Sequence, residues 1–165
     1  MIPSSRKLWK RGESTVNLWC ADRMVVVLDT DHLTVIQRRT WPAYARLNAH
    51  LSQLPIGTIH TTIVSFEEQM RGWLAVIARV RNHSKEVAAY QRLQTLLRFF
   101  NEIPVLDYTD VVAARFEDLK GSRLRIGSMD LKIAAIALSH DGLLLSANLK
   151  DFQKVPDLRV EDWTK

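Results

Sequence analysis

Two acidic residues directly follow runs that are typical of buried strands. Asp29 follows the apolar stretch 24–28, and Asp151 lies a few residues beyond the apolar stretch 143–146. A short, β-branched, apolar run is typical of a strand that is covered on both faces. Because ligands of open parallel α/β sheets bind beyond the carboxyl ends of the strands, we expect both carboxylates to face one crevice. Asp151 by itself also fits an ordinary turn residue.

Two further acids lie where helices are predicted to begin. Glu68 lies in the first turn of a helix predicted over residues 65 to 81, and Asp130 lies in the first turn of a helix that Ser128 can cap. A helix N-terminus stabilises nearby negative charge. Each acid also has an ordinary structural interpretation, because Ser65 and Glu68 fit a capping box and Asp130 fits a helix-start charge.

Four carboxylates in one crevice would have a chemical consequence. Like charges at close range raise one another's pKa, so the group makes physical sense when a cation compensates it. Hard divalent cations prefer carboxylate oxygens, which makes the four acids a candidate metal-dependent site. His32 follows the first acid closely. Since no second His or Cys lies at metal-ligand spacing, we interpret His32 as a polar residue at a helix start.

The elements that must position these acids alternate along the chain. Strands are predicted over residues 24–28, 58–62, 104–106 and 143–146, with an edge strand at 158–160. Helical patterns begin after Asp29, at Pro42, at Ser65, at Ser84, at Thr109 and at Ser128. Strands that alternate with helices predict a parallel, layered α/β fold.

Apolar stripes indicate which helix faces are buried. Residues spaced at the helical period form the core-facing stripe of an amphipathic helix. For the helices that begin near Ser65 and Ser84, the predicted stripes are Trp73, Ile77 and Val80, and then Val87, Leu93, Leu96, Leu97 and Phe100.

Composition limits the class of protein. The 165 residues are 47% hydrophobic and carry a net charge of +5, which is typical of a globular protein attracted to polyanions such as RNA. No apolar run approaches the roughly 20 residues that cross a bilayer, so we expect a cytoplasmic protein without a membrane segment. The single cysteine, Cys20, cannot form an intrachain disulfide. Residues 1–23 are polar and aperiodic, so we predict a folded domain over residues 24–165, preceded by a tail or an upstream extension of the reading frame.

Four segments, in order, resemble the motifs of PIN-domain nucleases. The strand that ends in Asp29-Thr30-Asp31 resembles the first motif, although asparagine is commoner at the third position. Glu68, followed four residues later by Gly72, resembles the second motif, and the run 126–130 is similar to the third. The segment 144–163 resembles the final part of the VapC toxins of bacterial toxin–antitoxin pairs.

The resemblance covers residues 24 to 163 and implies a three-layer α/β/α sandwich around a short, mainly parallel sheet. It implies an endoribonuclease that uses Mg²⁺ or Mn²⁺, neutralised by a cognate VapB-like antitoxin, and homodimers or hetero-oligomers with that antitoxin. The implied catalytic residues are Asp29, Glu68, Asp130 and Asp151. Of these, Asp29, Asp130 and Asp151 are the expected metal ligands, and Glu68 is a ligand or orients the attacking water. Thr30 and Asn148 are candidates for contact with the substrate.

Two alternatives remain open from the residues alone. A phosphatase of the haloacid dehalogenase class would use Asp29 as a covalent nucleophile with a later lysine, Lys132 or Lys150. Leu33 stands where that class has Thr or Val, and no clear closing acidic pair follows. A PIN-like module that binds RNA or protein without cleaving is the second alternative, and the presence of all four acids argues against it.

Overall fold

The computed structural model describes residues 24–165, so the predicted extension at residues 1–23 lies outside the described residues. The elements in chain order are β1 (Val26–Leu28), α1 (Thr30–Arg38), α2 (Ala43–Leu51), β2 (Ile59–Thr62), α3 (Ile63–Arg79), α4 (His83–Glu102), β3 (Val105–Leu106), α5 (Asp110–Gly121), α6 (Ser128–Ser139), β4 (Leu143–Leu145), α7 (Leu149–Phe152) and β5 (Arg159–Glu161). The predicted alternation of strands and helices is confirmed. In the described range, no helix has the length and apolarity needed to span a membrane.

The strands form one sheet in the order β3-β2-β1-β4-β5, in which every neighbouring pair is parallel. β1 lies at the centre, where Leu28 is level with Thr61 of β2 and with Leu145 of β4. Parallel strands end at the same edge of a sheet, so the residues that follow β1 and β4 emerge side by side. This register brings the segment after Leu28 next to the segment after Leu145.

Successive side chains of β1 enter two different apolar layers. Val27 packs with α5, α6 and α7, whereas Val26 and Leu28 pack with α1, α2 and α4, and all three are fully buried. Because a strand projects alternate side chains to opposite faces, a sheet covered on both sides needs apolar residues at every position. The predicted three-layer α/β/α sandwich is thereby confirmed.

The predicted capping box of Ser65 and Glu68 is wrong. Thr62 caps α3 with an extended backbone (φ −112°, ψ 153°), and its hydroxyl accepts a hydrogen bond from the Ser65 backbone N–H at 3.0 Å. β2 runs into α3 without a loop, so the last residue of the strand is also the helix cap. Glu68 therefore lies in the second turn of α3, and its carboxylate is not used to cap the helix.

Two other predicted caps are also wrong. Asn82, not Ser84, caps α4 by accepting a hydrogen bond from the Lys85 backbone N–H. Gly127, not Ser128, precedes α6, and it makes no side-chain cap. In both cases the serine is a helical residue and not the cap: Ser84 is the second residue of α4, and Ser128 is the first residue of α6.

Part of the predicted core on α4 is exposed. Leu96 and Phe100 are buried as expected, but the side chains of Val87 and Leu97 are 45% and 54% exposed. On α3, Trp73, Ile77 and Val80 are only half-buried. α4 packs mainly against α3, so only one side of its apolar surface reaches the core. The periodicity identified the helix correctly but overestimated the width of its buried face.

Gly142, which precedes β4, leaves no room for a side chain. A Cβ atom there would lie 3.1 Å from Cγ2 of Val27 and 3.3 Å from the carbonyl oxygen of Ala137. We expect Gly142→Ala to lower the free energy of unfolding by about 1–3 kcal/mol in urea denaturation, because overpacking strains a closely packed site. Gly121→Ala is the control, since open space surrounds its Cβ, and it should be neutral or stabilising. Equal effects of the two substitutions would contradict this reading of the packing.

Candidate active site

Asp29 lies at the carboxyl end of the central strand and begins α1. One carboxylate oxygen accepts a hydrogen bond from the Thr30 backbone N–H at 2.7 Å, and the other accepts one from the Ser146 hydroxyl at 2.7 Å. Ser146 directly follows β4, so this contact joins the ends of two neighbouring strands. The side chain is almost fully buried, at 7% exposure.

Burial of Asp29 has a large electrostatic effect. Removal from water, together with repulsion from Asp31 and Asp130, raises its pKa from 3.8 to about 7. The hydrogen bonds from Ser146 and Thr30 act in the opposite direction but do not offset burial. In the absence of a metal ion, this carboxylate therefore titrates near neutral pH. Such a raised pKa is uncommon for an aspartate and is typical of a functional site.

Glu68 reaches the same edge of the sheet from α3. The Thr30 hydroxyl donates a hydrogen bond to a Glu68 carboxylate oxygen at 2.5 Å. Thr30 is the neighbour of Asp29 in the chain, so this bond connects two of the four predicted acids through a single residue. Thr30 was predicted to contact the substrate, and in this structure its hydroxyl is hydrogen-bonded to the Glu68 carboxylate.

Asn148 connects the other two predicted acids. Its side-chain amide donates to Asp130 and to Asp151, at 3.2 Å in each case. Asp130 lies in the first turn of α6, as predicted, and Asp151 lies in α7. The Lys154 ammonium also donates to Asp151, at 2.5 Å. The amide of Asn148 thus holds the start of α6 against α7.

The acids interact strongly enough to change one another's ionisation. Burial, followed by repulsion from Glu68 and Asp151, raises the pKa of Asp130. The pKa of Asp151 is lowered instead, because Lys154 and Asn148 donate hydrogen bonds to its charged form. All four predicted site acids are therefore brought to one edge of the sheet, where they are coupled directly or through Thr30 and Asn148.

A fifth acid, Asp31, joins this cluster although it was not among the predicted site residues. One of its oxygens accepts from the Ala147 backbone N–H at 2.7 Å and from the Ser146 hydroxyl at 3.3 Å. Its charge raises the pKa of both Asp29 and Asp130. The sequence carried a signal for it, because an acid replaces the asparagine that is commoner at this position. No feature of the sequence indicated that Ser146 would contact Asp29.

His32 lies in the first turn of α1, as predicted, but it is fully buried. Its imidazole faces Asp31 and Asp162 and does not face the crevice. Lys132, one of the two lysines that the phosphatase alternative could place beside Asp29, contacts aromatic rings instead. Its ammonium lies 5.8 Å from the ring centre of Tyr108 and 5.9 Å from that of Phe116.

The acid cluster fits a hard divalent cation by the chemistry of its donors. As the side chains are oriented, no group of three or more His, Cys, Asp or Glu residues within 24–165 could hold an ion directly. Protein donors occupy the carboxylate oxygens: Thr30, Ser146, Asn148 and Lys154. Mg²⁺ keeps several of its waters and needs only one or two direct carboxylates, so an all-oxygen set with excess negative charge suits it.

Comparisons with known proteins agree with this geometry. The family model described as "PIN domain" matches residues 26–158. "Ribonuclease VapC1" of Haemophilus influenzae is 27% identical over 144 residues, which cover 86% of this chain and 100% of that protein. Among solved structures, VapBC-1 from nontypeable Haemophilus influenzae has a TM-score of 0.64 at 23% identity, covering 86% of this chain and 100% of that one. VapBC2 from Rickettsia felis, bound to a DNA fragment from its promoter, has a TM-score of 0.65 at 21% identity, covering 85% and 99%. At these identities the solved structures show a common fold.

Proposed function

This chain belongs to the PIN domain family, and we propose that it is a metal-dependent endoribonuclease, the toxin of a toxin–antitoxin pair. Membership rests on a match over residues 26–158. The activity follows from the curated relatives named as ribonucleases. The family match decides against the haloacid dehalogenase alternative. Both the RNA substrate and the antitoxin are cytoplasmic in this proposal.

The observation that carries the proposal is the acid cluster at the carboxyl edge of the sheet. We propose that Asp29, Asp130 and Asp151 hold a divalent ion, Mg²⁺ or Mn²⁺, directly or through water. Such an ion, when bound, lowers the pKa of a water molecule and stabilises charge on the phosphate and on the leaving oxygen. The raised pKa of Asp29 and of Asp130 supports this assignment, because a cation relieves the repulsion that raises them.

The remaining site residues have roles that their contacts support. Glu68 is the group that orients the attacking water or accepts its proton, and Thr30 holds Glu68 in place through the hydroxyl contact. Asn148 keeps Asp130 and Asp151 apart at a fixed separation. Thr30 and Asn148 are also the proposed contacts to the substrate phosphate, which would compete with the carboxylates for their hydrogen-bond donors.

The excess of positive charge supports RNA as the substrate. The net charge is +5 over the full sequence, and within residues 24–165 Lys and Arg still outnumber Asp and Glu, by 18 to 16, although the site itself is acidic. Lys154 lies at the border of the cluster, where it contacts Asp151 and the carbonyl oxygen of Arg125. Contacts between such cations and phosphates make binding strongly salt-dependent.

A groove between α1, α2, α3 and α4 is the proposed docking surface for the antitoxin. Its volume is about 910 Å³, and its lining includes Trp73, Leu96 and Phe99. Arg38, Arg39 and Arg92 also line it, against a single acidic residue, Glu102. An apolar antitoxin segment with acidic side chains would complement this surface. VapBC-1 and VapBC2, which share this fold, are structures of toxin–antitoxin systems, and this supports such a partner.

Cleavage of RNA by the purified protein tests the proposed function. We expect cleavage of mixed RNAs with Mg²⁺ or Mn²⁺, none with a chelator, and a loss of at least about 100-fold in Asp130→Asn, because the variant removes a proposed ligand of the metal that stabilises charge on the phosphate. Asp110→Asn is the matched control, since Asp110 is an exposed acid in the first turn of α5 and it should cleave like the wild type.

Two results would contradict the proposal. Full activity of Asp130→Asn, or cleavage that survives exhaustive chelation, would remove the metal site as its basis. Binding of RNA with no cleavage under any metal would favour the non-catalytic module.

A further inference from the structure

His32 is a fully buried polar side chain that the proposed chemistry does not use. Its Nδ1 lies 2.7 Å from a carboxylate oxygen of Asp31, and its Nε2 lies 3.6 Å from a carboxylate oxygen of Asp162. Burying a polar ring is costly unless its polar atoms are paired, and an apolar residue would fill the same space at less cost. Nδ1 is hydrogen-bonded to Asp31, whereas Nε2 faces the Asp162 carboxylate without a hydrogen bond within the described residues. The two flanking carboxylates indicate a polar function for this imidazole.

On one side of His32 lies the C-terminal segment. The Asp162 side chain is 3% exposed, and it accepts hydrogen bonds from the Thr164 backbone N–H at 3.0 Å and from the Thr164 hydroxyl at 2.5 Å. Burial raises the pKa of Asp162, but the bonds from Thr164 and Lys165 outweigh burial, so the pKa lies below its usual value. A negative charge thus faces His32 at neutral pH.

The C-terminal segment is itself fixed to α2. Arg46 donates a hydrogen bond to the Thr164 carbonyl oxygen at 2.8 Å, and the ring of Trp163 lies 5.1 Å from that of His50. Asp162 is therefore held on a rigid support, so it can act as a fixed anchor for the imidazole.

On the other side of His32 lies the loop that leads to the site. The oxygen of Asp31 that does not contact His32 accepts the Ala147 backbone N–H at 2.7 Å. The next residue, Asn148, donates its backbone N–H to the Ser146 hydroxyl at 3.1 Å and its side-chain amide to Asp130 and Asp151. A path of hydrogen bonds leads from His32 through Asp31 to the loop 146–148, and the Asp162 carboxylate flanks its far end, 3.6 Å from Nε2 and beyond hydrogen-bonding distance.

We propose that His32 and Asp162 are positioning residues of the ribonuclease: they fix the carboxylate of Asp31, which holds the loop 146–148 so that Asn148 keeps Asp130 and Asp151 in place. This inference rests on the proposed function. Contacts that orient the first ligands of a metal site contribute about 10–100-fold to activity or metal affinity. The effect of His32 falls on the turnover number, because the side chains of both His32 and Asp162 are buried and out of reach of a bound substrate.

Two substitutions of His32 separate positioning from packing. His32→Leu introduces an apolar side chain of similar bulk and loses both contacts of the imidazole, and only the backbone N–H of residue 32 still donates to Asp31. His32→Asn keeps a nitrogen donor near the position of Nδ1, so it retains the contact with Asp31. Leu47→Ala is the control for stability alone, because Leu47 is fully buried in the same layer and belongs to no part of this path.

The first readout is steady-state RNA cleavage at saturating metal, below the unfolding temperature of every variant. We expect kcat of His32→Leu to fall about 10–100-fold with KM changed less than about threefold, and His32→Asn to regain most of the loss. Leu47→Ala should keep kcat, although it is destabilised. An unchanged kcat in His32→Leu, or an equal loss in Leu47→Ala, would overturn the proposal.

The second readout needs neither metal nor RNA. Hydrogen exchange of the Ala147 backbone N–H in the metal-free protein reports its bond to Asp31. His32→Leu should lose this protection. In His32→Asn and Leu47→Ala the protection should fall by no more than the change in global stability accounts for. Protection that persists in His32→Leu would overturn the link between His32 and the loop. If the wild type cleaves no RNA, the proposed function fails, and this exchange measurement still decides whether His32 holds the loop.

Discussion

Asp29→Asn is expected to abolish RNA cleavage and to raise the stability of the metal-free protein at pH 8. The loss of cleavage should exceed about 100-fold, because the variant removes the most buried carboxylate of the proposed metal site. Folding should survive, since the asparagine oxygen can accept from the Thr30 N–H. Its amide can donate to the Ser146 hydroxyl, which then turns its own hydrogen towards Asp31.

The gain in stability follows from the raised pKa of Asp29. Its pKa is about 7 when folded and 3.8 as the reference for the unfolded chain, so the folded state binds the proton more tightly. The ionisation of Asp29 therefore lowers the free energy of unfolding as pH rises from about 4 to about 7, and the full cost remains above that range. One pKa unit corresponds to about 1.4 kcal/mol, so the cost is on the order of a few kcal/mol. The asparagine does not ionise and avoids it.

Urea denaturation in the presence of a chelator, at pH 5 and pH 8, measures this effect. Asp29→Asn should be more stable than the wild type at pH 8, and the difference should shrink at pH 5. Asp151→Asn is the matched comparison of opposite sign, because Lys154 and Asn148 stabilise the charged form of Asp151. A destabilised Asp29→Asn at pH 8 would show that its charge is favourable in the folded state, contrary to this argument.

Metal affinity is expected to rise steeply with pH below neutrality. A divalent ion binds the ionised carboxylate, and the proton on Asp29 competes with it below the pKa of about 7. The apparent affinity for Mn²⁺ should therefore increase by about tenfold for each pH unit up to about 7 and then become constant. No such dependence is expected from Asp151, whose pKa is lowered.

Calorimetric titration with Mn²⁺ at several pH values between 5.5 and 8.5 checks this expectation. Asp151→Asn should bind more weakly but keep the pH dependence, whereas Asp29→Asn should bind more weakly and keep only the part of the pH dependence that Asp130 contributes. If the affinity of the wild type for Mn²⁺ were independent of pH over this range, Asp29 would not be a ligand of the ion.

The local pattern of the sequence predicted the elements well and the caps poorly. The continuous apolar runs before Asp29 and around Leu144 predicted the central strands, because only buried parallel strands need apolar residues on both faces. The cap of α3 was misassigned because serine is a preferred cap residue and Glu68 follows Ser65 at capping-box spacing. The actual cap, Thr62, is also the last residue of β2. Tertiary pairing of the strand decided where the helix begins, and this placed Glu68 a turn later than predicted.

The sequence by itself determined the order of the strands and helices and identified the four acids as candidate site residues. Both inferences depend on residue types at short spacing along the chain. Only the tertiary structure decided which donors meet these acids, and that His32 is buried between Asp31 and Asp162. Asp31 and Ala147 are 116 residues apart in the chain, and Asp29 and Ser146 are 117 apart. Such contacts depend on the parallel register of β1 and β4, which aligns Leu28 with Leu145. Long-range register follows from packing of the whole chain, so no local pattern encodes it.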